Sequence, residues 1–187
     1  MKNIILFASG AGSNAENIIQ NFKNNDNIRV VGVFTNNPNA KVLDKAKTHN
    51  VPSILFNREE FLGTSVLQKI IALQPDLIVL AGFLWKMPQQ IVAAYPNKII
   101  NIHPALLPNY GGKGMYGMNV HQAILKNKEK ETGITIHYVN ENYDEGEFIF
   151  QTSVNIEDLK TPEAIAEKVH QLEYQHFPTI IKKLLMS

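Results

Sequence analysis

The chain has 187 residues, with 18 Lys or Arg against 17 Asp or Glu, and 44% of it is hydrophobic. This profile predicts one globular domain over residues 1–187, and its near-zero net charge favours neither nucleic acid nor an anionic membrane as a partner. Because it has no Cys, the chain has neither a disulfide framework nor a thiolate metal site nor a cysteine nucleophile. No apolar run is long enough for a secretory signal or a membrane span, so we expect a cytoplasmic protein.

Five short apolar runs precede residue 103, and each is followed by a more polar segment with helical spacing. The runs lie at residues 3–8, 28–34, 52–56, 76–81 and 98–102. Continuous apolar runs are typical of parallel strands that are covered on both faces. They predict an α/β protein with a Rossmann-like, doubly wound and mostly parallel sheet.

The pattern changes after Gly133. The segments GITIHYV and FIFQTSV alternate more clearly and flank the turn-rich sequence NENYDEGE, which predicts antiparallel strands toward the C-terminus. A long C-terminal helix follows, with Thr161 as its N-cap, Pro162 at its first position and Glu163 in its first turn.

A small-residue loop, Gly10-Ala11-Gly12-Ser13-Asn14-Ala15, follows the first strand and opens a helix. The spacing fits a dinucleotide fingerprint, but the second strand ends in Phe34-Thr35-Asn36-Asn37, where such a site needs an acid for the ribose. Small residues at a helix N-terminus still suit an anion, so a phosphate-bearing substrate fits better. The alternative is a tight strand-to-helix turn with Ser13 or Asn14 as the N-cap.

Glycine is concentrated in a second loop, NYGGKGMYGMN, at residues 109–119. Such a segment loses much backbone entropy when it becomes ordered. We consider two interpretations, a flexible surface loop and a lid over bound ligand.

Asn101-Ile102-His103-Pro104 ends the fifth apolar run, and strand alternation places Asn101 and His103 on one face. At the carboxyl end of a parallel strand these groups face the ligand crevice. An amide can stabilise an oxyanion and an imidazole can exchange protons, as acyl transfer requires. An ordinary strand end without chemistry is the alternative.

Asp144 is the candidate partner of His103, because a nearby carboxylate would raise the pKa of the imidazole and keep an acid available at neutral pH. It could equally belong to a solvated acidic turn. Among the other histidines only His137 draws attention, since it shares a strand face with Thr135. No pair has the spacing of metal ligands, so we predict no metal.

In combination, these motifs resemble the folate-dependent formyltransferases over about the whole chain. The resemblance rests on the Gly10–Asn14 loop, on Leu80-Ala81-Gly82-Phe83, on Asn101-Ile102-His103-Pro104 with Ala105-Leu106-Leu107-Pro108, and on Asp144-Glu145-Gly146. It implies transfer of a formyl group from 10-formyltetrahydrofolate, as co-substrate, to the primary amine of glycinamide ribonucleotide. The implied partners are these two small molecules. We expect the protein to be a monomer or a homodimer.

The resemblance also implies residue roles. Asn101 and His103 would stabilise the tetrahedral oxyanion, His103 would donate a proton, and Asp144 would raise its pKa. The substrate phosphate would bind at Gly12, Ser13 and Asn14, and its sugar at Glu173. The folate residues would be Arg58, Leu84, Trp85, Lys86, Met87, Val92, Asn101, Asn140, Glu141 and Asp144.

Three features depart from the family pattern. Trp85 replaces an Arg found in some members, so its ring could pack in the core instead of lining a ligand site. The Gly111–Met118 loop is longer than in several members, and no family role is transferred to His170.

Two alternative functions remain. One is a formyltransferase that acts on another amine, such as a nucleotide-linked amino sugar. The other is a non-catalytic nucleotide-binding protein of the same fold.

Overall fold

In a computed structural model, which describes residues 1–186, the apolar runs form one seven-stranded sheet with the order β3-β2-β1-β4-β5-β6-β7. The strands are β1 (Lys2–Phe7), β2 (Ile28–Thr35), β3 (Ser53–Leu55), β4 (Leu77–Leu80), β5 (Ile99–His103), β6 (Glu131–Tyr138) and β7 (Phe148–Asn155). Strands β1 to β5 pair in parallel, whereas β6 and β7 are antiparallel to their neighbours. The predicted fold class is confirmed, including the change of direction after Gly133.

Seven helices occur among the described residues. They are α1 (Ser13–Phe22), α2 (Val42–Thr48), α3 (Arg58–Leu62), α4 (Ser65–Leu73), α5 (Gln89–Ala94), α6 (Met118–Lys126) and α7 (Pro162–Met186). Helix α7 begins as predicted, because Thr161 Oγ1 accepts a hydrogen bond of 3.2 Å from the Ala164 amide. Across residues 1–186, no helix combines the length and apolar character needed to cross a membrane.

Two hydrophobic clusters cover the two faces of the sheet. Strand alternation in β1 sends Ile4 and Leu6 into the cluster that includes residues of α1, α6 and α7, and Ile5 and Phe7 into the other. The second cluster is rich in aromatic rings, and Phe7 stacks on Phe34 with a centroid distance of 4.8 Å. Burial on both faces explains why the runs are continuously apolar.

The carboxyl ends of β1, β4 and β5 lie side by side, since these strands are neighbours in the sheet. Ser9 ties the loops that follow β1 and β4 together. Its amide donates to the Gly82 carbonyl at 3.0 Å, and its Oγ accepts from the Leu84 amide at 3.0 Å. The segments that emerge here therefore form one crevice.

Candidate active site

A cavity of about 630 Å³ occupies this crevice. Three segments at the strand ends line it: Gly10–Asn14, Leu80–Met87 and Asn101–Pro104. The connection between β6 and β7, the glycine loop and α7 supply further walls. A second cavity of about 360 Å³ shares Trp85, Lys86, Met87 and Tyr143 with the first.

Asn101, His103 and Asp144 meet in the larger cavity, as the sequence predicted. Asp144 Oδ2 lies 3.6 Å from His103 Nδ1, and Asp144 Oδ1 lies 3.4 Å from the Asn101 amide nitrogen. The Gly112 amide donates to Asp144 Oδ2 at 2.9 Å, which fixes the carboxylate. Asp144 has a φ of 55°, a left-handed conformation that is uncommon for a residue with a side chain. Such strain is often found at functional sites.

The expected effect of Asp144 on the pKa of His103 is present, but the effect of burial, which the sequence did not reveal, is larger. His103 is only 3% exposed, and this burial lowers its pKa below the ordinary value although Asp144 and the Tyr110 carbonyl act in the opposite direction. Burial also raises the pKa of Asp144, but His137, the charge of His103 and the Gly112 amide outweigh it, and the net pKa is lowered. The carboxylate is thus held ionised beside an imidazole that loses its proton readily.

The first loop differs from the tight-turn alternative. Gly12 is the N-cap of α1, in a left-handed conformation with a φ of 66°, and no side chain caps the helix. Ser13 and Asn14 are therefore not N-caps. Asn14 Nδ2 instead donates to Glu173 Oε2 at 2.8 Å. Asn14 Oδ1 is buried and has no hydrogen-bond partner among residues 1–186. A buried acceptor that lines a cavity is suited to a donor from a ligand.

Glu173 is a buried carboxyl group in this half of the cavity. It is 4% exposed, and burial raises its pKa to about 7 despite the hydrogen bond from Asn14. His170 Nε2 lies 3.9 Å from Glu173 Oε2. His121 also lines the cavity, and burial lowers its pKa to about 4, so it is neutral at pH 7. A neutral imidazole and a carboxyl group that titrates near neutral pH can both form hydrogen bonds with the hydroxyls of a sugar.

The predicted folate residues divide between the two cavities. Leu84, Trp85, Lys86, Met87 and Asn140 line the larger one, whereas Arg58 and Glu141 line the smaller. Val92 lies in α5, packs against the aromatic cluster and lines neither cavity, so its expected place in the folate pocket is not supported.

Trp85 satisfies both of the interpretations given to it. Its ring lies 5.8 Å from Phe61 and 6.2 Å from Phe56, centroid to centroid, and it also lines both cavities. The guanidinium of Arg58 lies 5.5 Å from the centre of the Trp85 ring, a cation–π contact. The indole therefore joins the core to the ligand site.

Residues 112–117 of the glycine loop form part of the cavity wall, as the lid interpretation requires. Three glycines of this segment, Gly112, Gly114 and Gly117, have positive φ. Other residues would be strained in these conformations, which accounts for the unusual composition.

Two site residues had no predicted role. His137 Nε2 lies 3.1 Å from the Asn101 amide nitrogen, and the Tyr110 carbonyl lies 2.7 Å from His103 Nε2. The antiparallel register, which pairs Asn101 with His137, is the signal that could have revealed the first contact. The second depends on the course of a loop and has no sequence signature.

Comparison with known proteins identifies one family. Residues 2–181 match the model of the protein family described as Formyl transferase. The chain is 35% identical to phosphoribosylglycinamide formyltransferase of Bacillus subtilis, a match that covers 99% of this chain and 95% of the relative. It is 36% identical to the chloroplastic phosphoribosylglycinamide formyltransferase of Arabidopsis thaliana over 96% of this chain, but it spans only 64% of that relative.

Solved structures give the same picture. The crystal structure of phosphoribosylglycinamide formyltransferase from Bacillus halodurans is similar with a TM-score of 0.88 and 34% identity, covering 98% of this chain and 95% of that one. The enzyme of the same name from Anaplasma phagocytophilum gives a TM-score of 0.90 at 29% identity, covering 99% and 87%.

Proposed function

This chain belongs to the formyl transferase family, and we propose that it transfers the formyl group of 10-formyltetrahydrofolate to the primary amine of glycinamide ribonucleotide. The product would be N-formylglycinamide ribonucleotide, an intermediate of de novo purine biosynthesis, with tetrahydrofolate released. The observation that carries the proposal is the meeting of an amide, an imidazole and a carboxylate in one cavity. That cavity extends from the N-terminus of α1 to the partly apolar segment Leu84–Met87.

The first step is attack of the substrate amine on the formyl carbon. A carbon–nitrogen bond forms and the carbonyl oxygen takes up the electron pair of the C=O π bond, so a tetrahedral oxyanion results. The Asn101 amide nitrogen has two hydrogens, one directed to His137 at 3.1 Å and one to Asp144 at a longer 3.4 Å. The second hydrogen is the weaker contact, so it is the one that the oxyanion would recruit.

The second step is collapse of the tetrahedral intermediate. The bond from the formyl carbon to N10 of the folate breaks, and N10 takes up a proton that His103 can donate. The attacking amine loses a proton, and we assign its acceptance to water held by Asp144. The proton taken from the amine replaces the one given to N10, so its transfer from that water to His103 restores the starting state of the enzyme.

The two substrates would bind in different halves of the cavity, the ribonucleotide at the N-terminus of α1 and the folate at Leu84–Met87. The phosphate of glycinamide ribonucleotide would be bound by the amides and side chains at Gly12, Ser13 and Asn14, where the dipole of α1 favours an anion. Its ribose would contact Glu173. The pterin would lie against Leu84–Met87 and Asn140, and the glutamyl tail near Arg58.

We propose that the enzyme works as a monomer or a homodimer. We propose a cytoplasmic enzyme that takes only small molecules and has no nucleic-acid or membrane partner. Neither proposed step needs a metal ion, because hydrogen-bond donors at Asn101 and His103 can stabilise the oxyanion.

The direct test mixes the purified protein with glycinamide ribonucleotide and 10-formyltetrahydrofolate and follows the absorbance change as the folate loses its formyl group. We expect turnover by the wild type and a loss of at least ~100-fold in kcat for His103→Ala, with little change in binding of either substrate. His176→Ala is the matched control, because His176 lies outside both cavities.

The possible outcomes separate the alternatives. Binding of the folate without transfer would point to another amine, such as a nucleotide-linked amino sugar. If neither molecule binds, the result would favour a non-catalytic protein of the same fold. Equal affinity for glycinamide ribonucleotide and its dephosphorylated nucleoside would contradict the phosphate site at Gly12–Asn14.

A further inference from the structure

Tyr110 makes an unusual set of contacts at the start of the glycine loop. Its carbonyl oxygen lies 2.7 Å from His103 Nε2. At the other end of the residue, the phenol hydroxyl donates to Glu129 Oε1 at 2.6 Å and accepts from Asn127 Nδ2 at 2.8 Å. The ring between them packs against the hydrophobic cluster on the α7 face of the sheet. Backbone, ring and hydroxyl are therefore all held.

The backbone of Tyr110 is strained, with a φ of 57°. A large side chain rarely adopts this left-handed conformation, because its Cβ crowds the neighbouring carbonyl. The conformation persists only where surrounding contacts impose it. Without the hydroxyl bonds at Glu129 and Asn127, Tyr110 would be freer to return to a negative φ, and its carbonyl would turn away from His103.

The contact with His103 has a chemical consequence. A carbonyl oxygen can only accept a hydrogen bond, so His103 Nε2 must carry the hydrogen at this distance. The other ring nitrogen, Nδ1, is then the one that gains and loses a proton. It faces Asp144 Oδ2 at 3.6 Å, on the side of the Asn101 amide.

We infer that Tyr110 is a positioning residue: its carbonyl fixes His103 in the Nε2-protonated tautomer, and its hydroxyl anchors that carbonyl through Glu129 and Asn127. Nδ1 is thereby assigned as the atom that exchanges protons during catalysis. The catalytic part of this inference rests on the proposed formyl transfer, whereas the tautomer does not. The ionisable groups that act on His103 are Asp144, His137 from β6 and His121 from α6, and none of them is altered in the variants below.

The first experiment needs no substrate. Long-range proton–nitrogen NMR correlations on the uniformly 15N-labelled protein, with His103 assigned through His103→Ala, report the tautomer of the neutral ring. We expect Nε2 protonated and Nδ1 with the chemical shift of an unprotonated nitrogen. The opposite tautomer in the wild type would overturn the inference whatever the enzyme catalyses, so this result is distinguishable from a failure of the proposed function.

The second experiment compares Tyr110→Phe with Tyr174→Phe. Tyr174 lies in α7, is 40% exposed and lines neither cavity. For Tyr110→Phe we expect a mixture of tautomers and a kcat reduced about tenfold, with both KM values within about twofold. The fall of kcat at high pH should begin at a lower pH than in the wild type, because the Tyr110 carbonyl raises the pKa of His103. Tyr174→Phe should behave as the wild type.

A merely structural role for Tyr110 predicts a different result. The amount of active enzyme would then fall while the tautomer and the pH profile stayed unchanged, and this outcome would overturn the inference. If Tyr110→Phe does not fold, Asn127→Ala combined with Glu129→Ala removes both partners of the hydroxyl at exposed positions, and the same shifts are expected.

Discussion

Asn101 and His137 face each other across β5 and β6, and the Asn101 amide nitrogen lies 3.1 Å from His137 Nε2. His137 Nδ1 lies 2.8 Å from the Tyr138 carbonyl, which only accepts, so in the neutral ring Nδ1 carries the hydrogen and Nε2 accepts from Asn101. The protonated ring would instead direct Nε2–H to Asp144 Oδ1, at 3.5 Å. His137 therefore decides which end of the Asn101 amide faces Asp144. The nitrogen is the end that an oxyanion needs.

Replacing His137 with Ala should leave the Asn101 amide free to rotate. We expect kcat to fall about tenfold, the scale of one lost hydrogen bond, with KM nearly unchanged. His137→Gln, whose side-chain oxygen can still accept from Asn101, should retain more activity than His137→Ala. Steady-state kinetics on the two variants test this, and equal losses would show that the hydrogen bond to Asn101 is not the reason for the effect.

Removal of the Asp144 charge should make His103 still less basic. Asp144→Asn takes away the group that opposes the burial of His103, so the pKa of His103 should fall further below its ordinary value. We expect kcat near pH 7 to fall by about 100-fold, because less of the enzyme holds the proton that N10 requires.

Proton NMR titration of His103 and the kcat–pH profile measure the two effects of Asp144→Asn. Glu145→Gln is the control, since this neighbouring acid is exposed and accepts a hydrogen bond from Asn142 Nδ2 at 2.7 Å. An unchanged His103 titration in Asp144→Asn would mean that the two groups are not coupled.

The sequence allows the fold to be predicted because burial on both faces leaves a local signature. The runs that contain Ile4–Phe7 and Leu77–Leu80 are apolar at every position. The alternation of residue types in β6 and β7 indicated the antiparallel strands, although β6 itself is buried from Thr132 to His137. Asn101 and His103 could be placed at a strand end for the same reason.

Other parts of the site depend on the course of loops. The net pKa of His103 depends on how deeply the glycine loop and α6 bury the ring, and no spacing in the sequence encodes that depth. The contacts of Tyr110 and the position of Val92 outside both cavity linings likewise depend on the tertiary structure. The spacing of small residues after β1 indicated an anion-binding loop. It could not show that the N-cap of α1 is Gly12 and not Ser13 or Asn14.

Two glycines of the first loop should respond very differently to Ala. A Cβ at Gly12 would overlap Val42, and the φ of 66° disfavours any side chain, whereas a Cβ at Gly10 has no neighbour within 4 Å. We expect Gly12→Ala to destabilise the protein by about 2–4 kcal/mol, a typical cost of strain combined with overpacking, and to raise the KM for the ribonucleotide. Gly10→Ala should have a stability close to that of the wild type. Urea unfolding and KM measurements on both variants test this, and similar behaviour of the two would refute the close contact with Val42.

Glu173 should make the stability of the protein depend on pH. Burial raises its pKa from 4.5 to about 7, so the folded state binds this proton more tightly than the unfolded state does. The stabilisation from this group is complete below the unfolded value of 4.5 and is lost as the pH rises through about 7. The shift corresponds to roughly 3 kcal/mol.

Glu173→Gln keeps the shape of the side chain without the ionisation, so its free energy of unfolding should decline less than that of the wild type between pH 5 and pH 8. Urea unfolding of both proteins across this range isolates Glu173 together with its neighbour His170, because more distant titrating groups cancel in the difference. A difference between the two proteins that does not vary with pH would mean that Glu173 titrates normally.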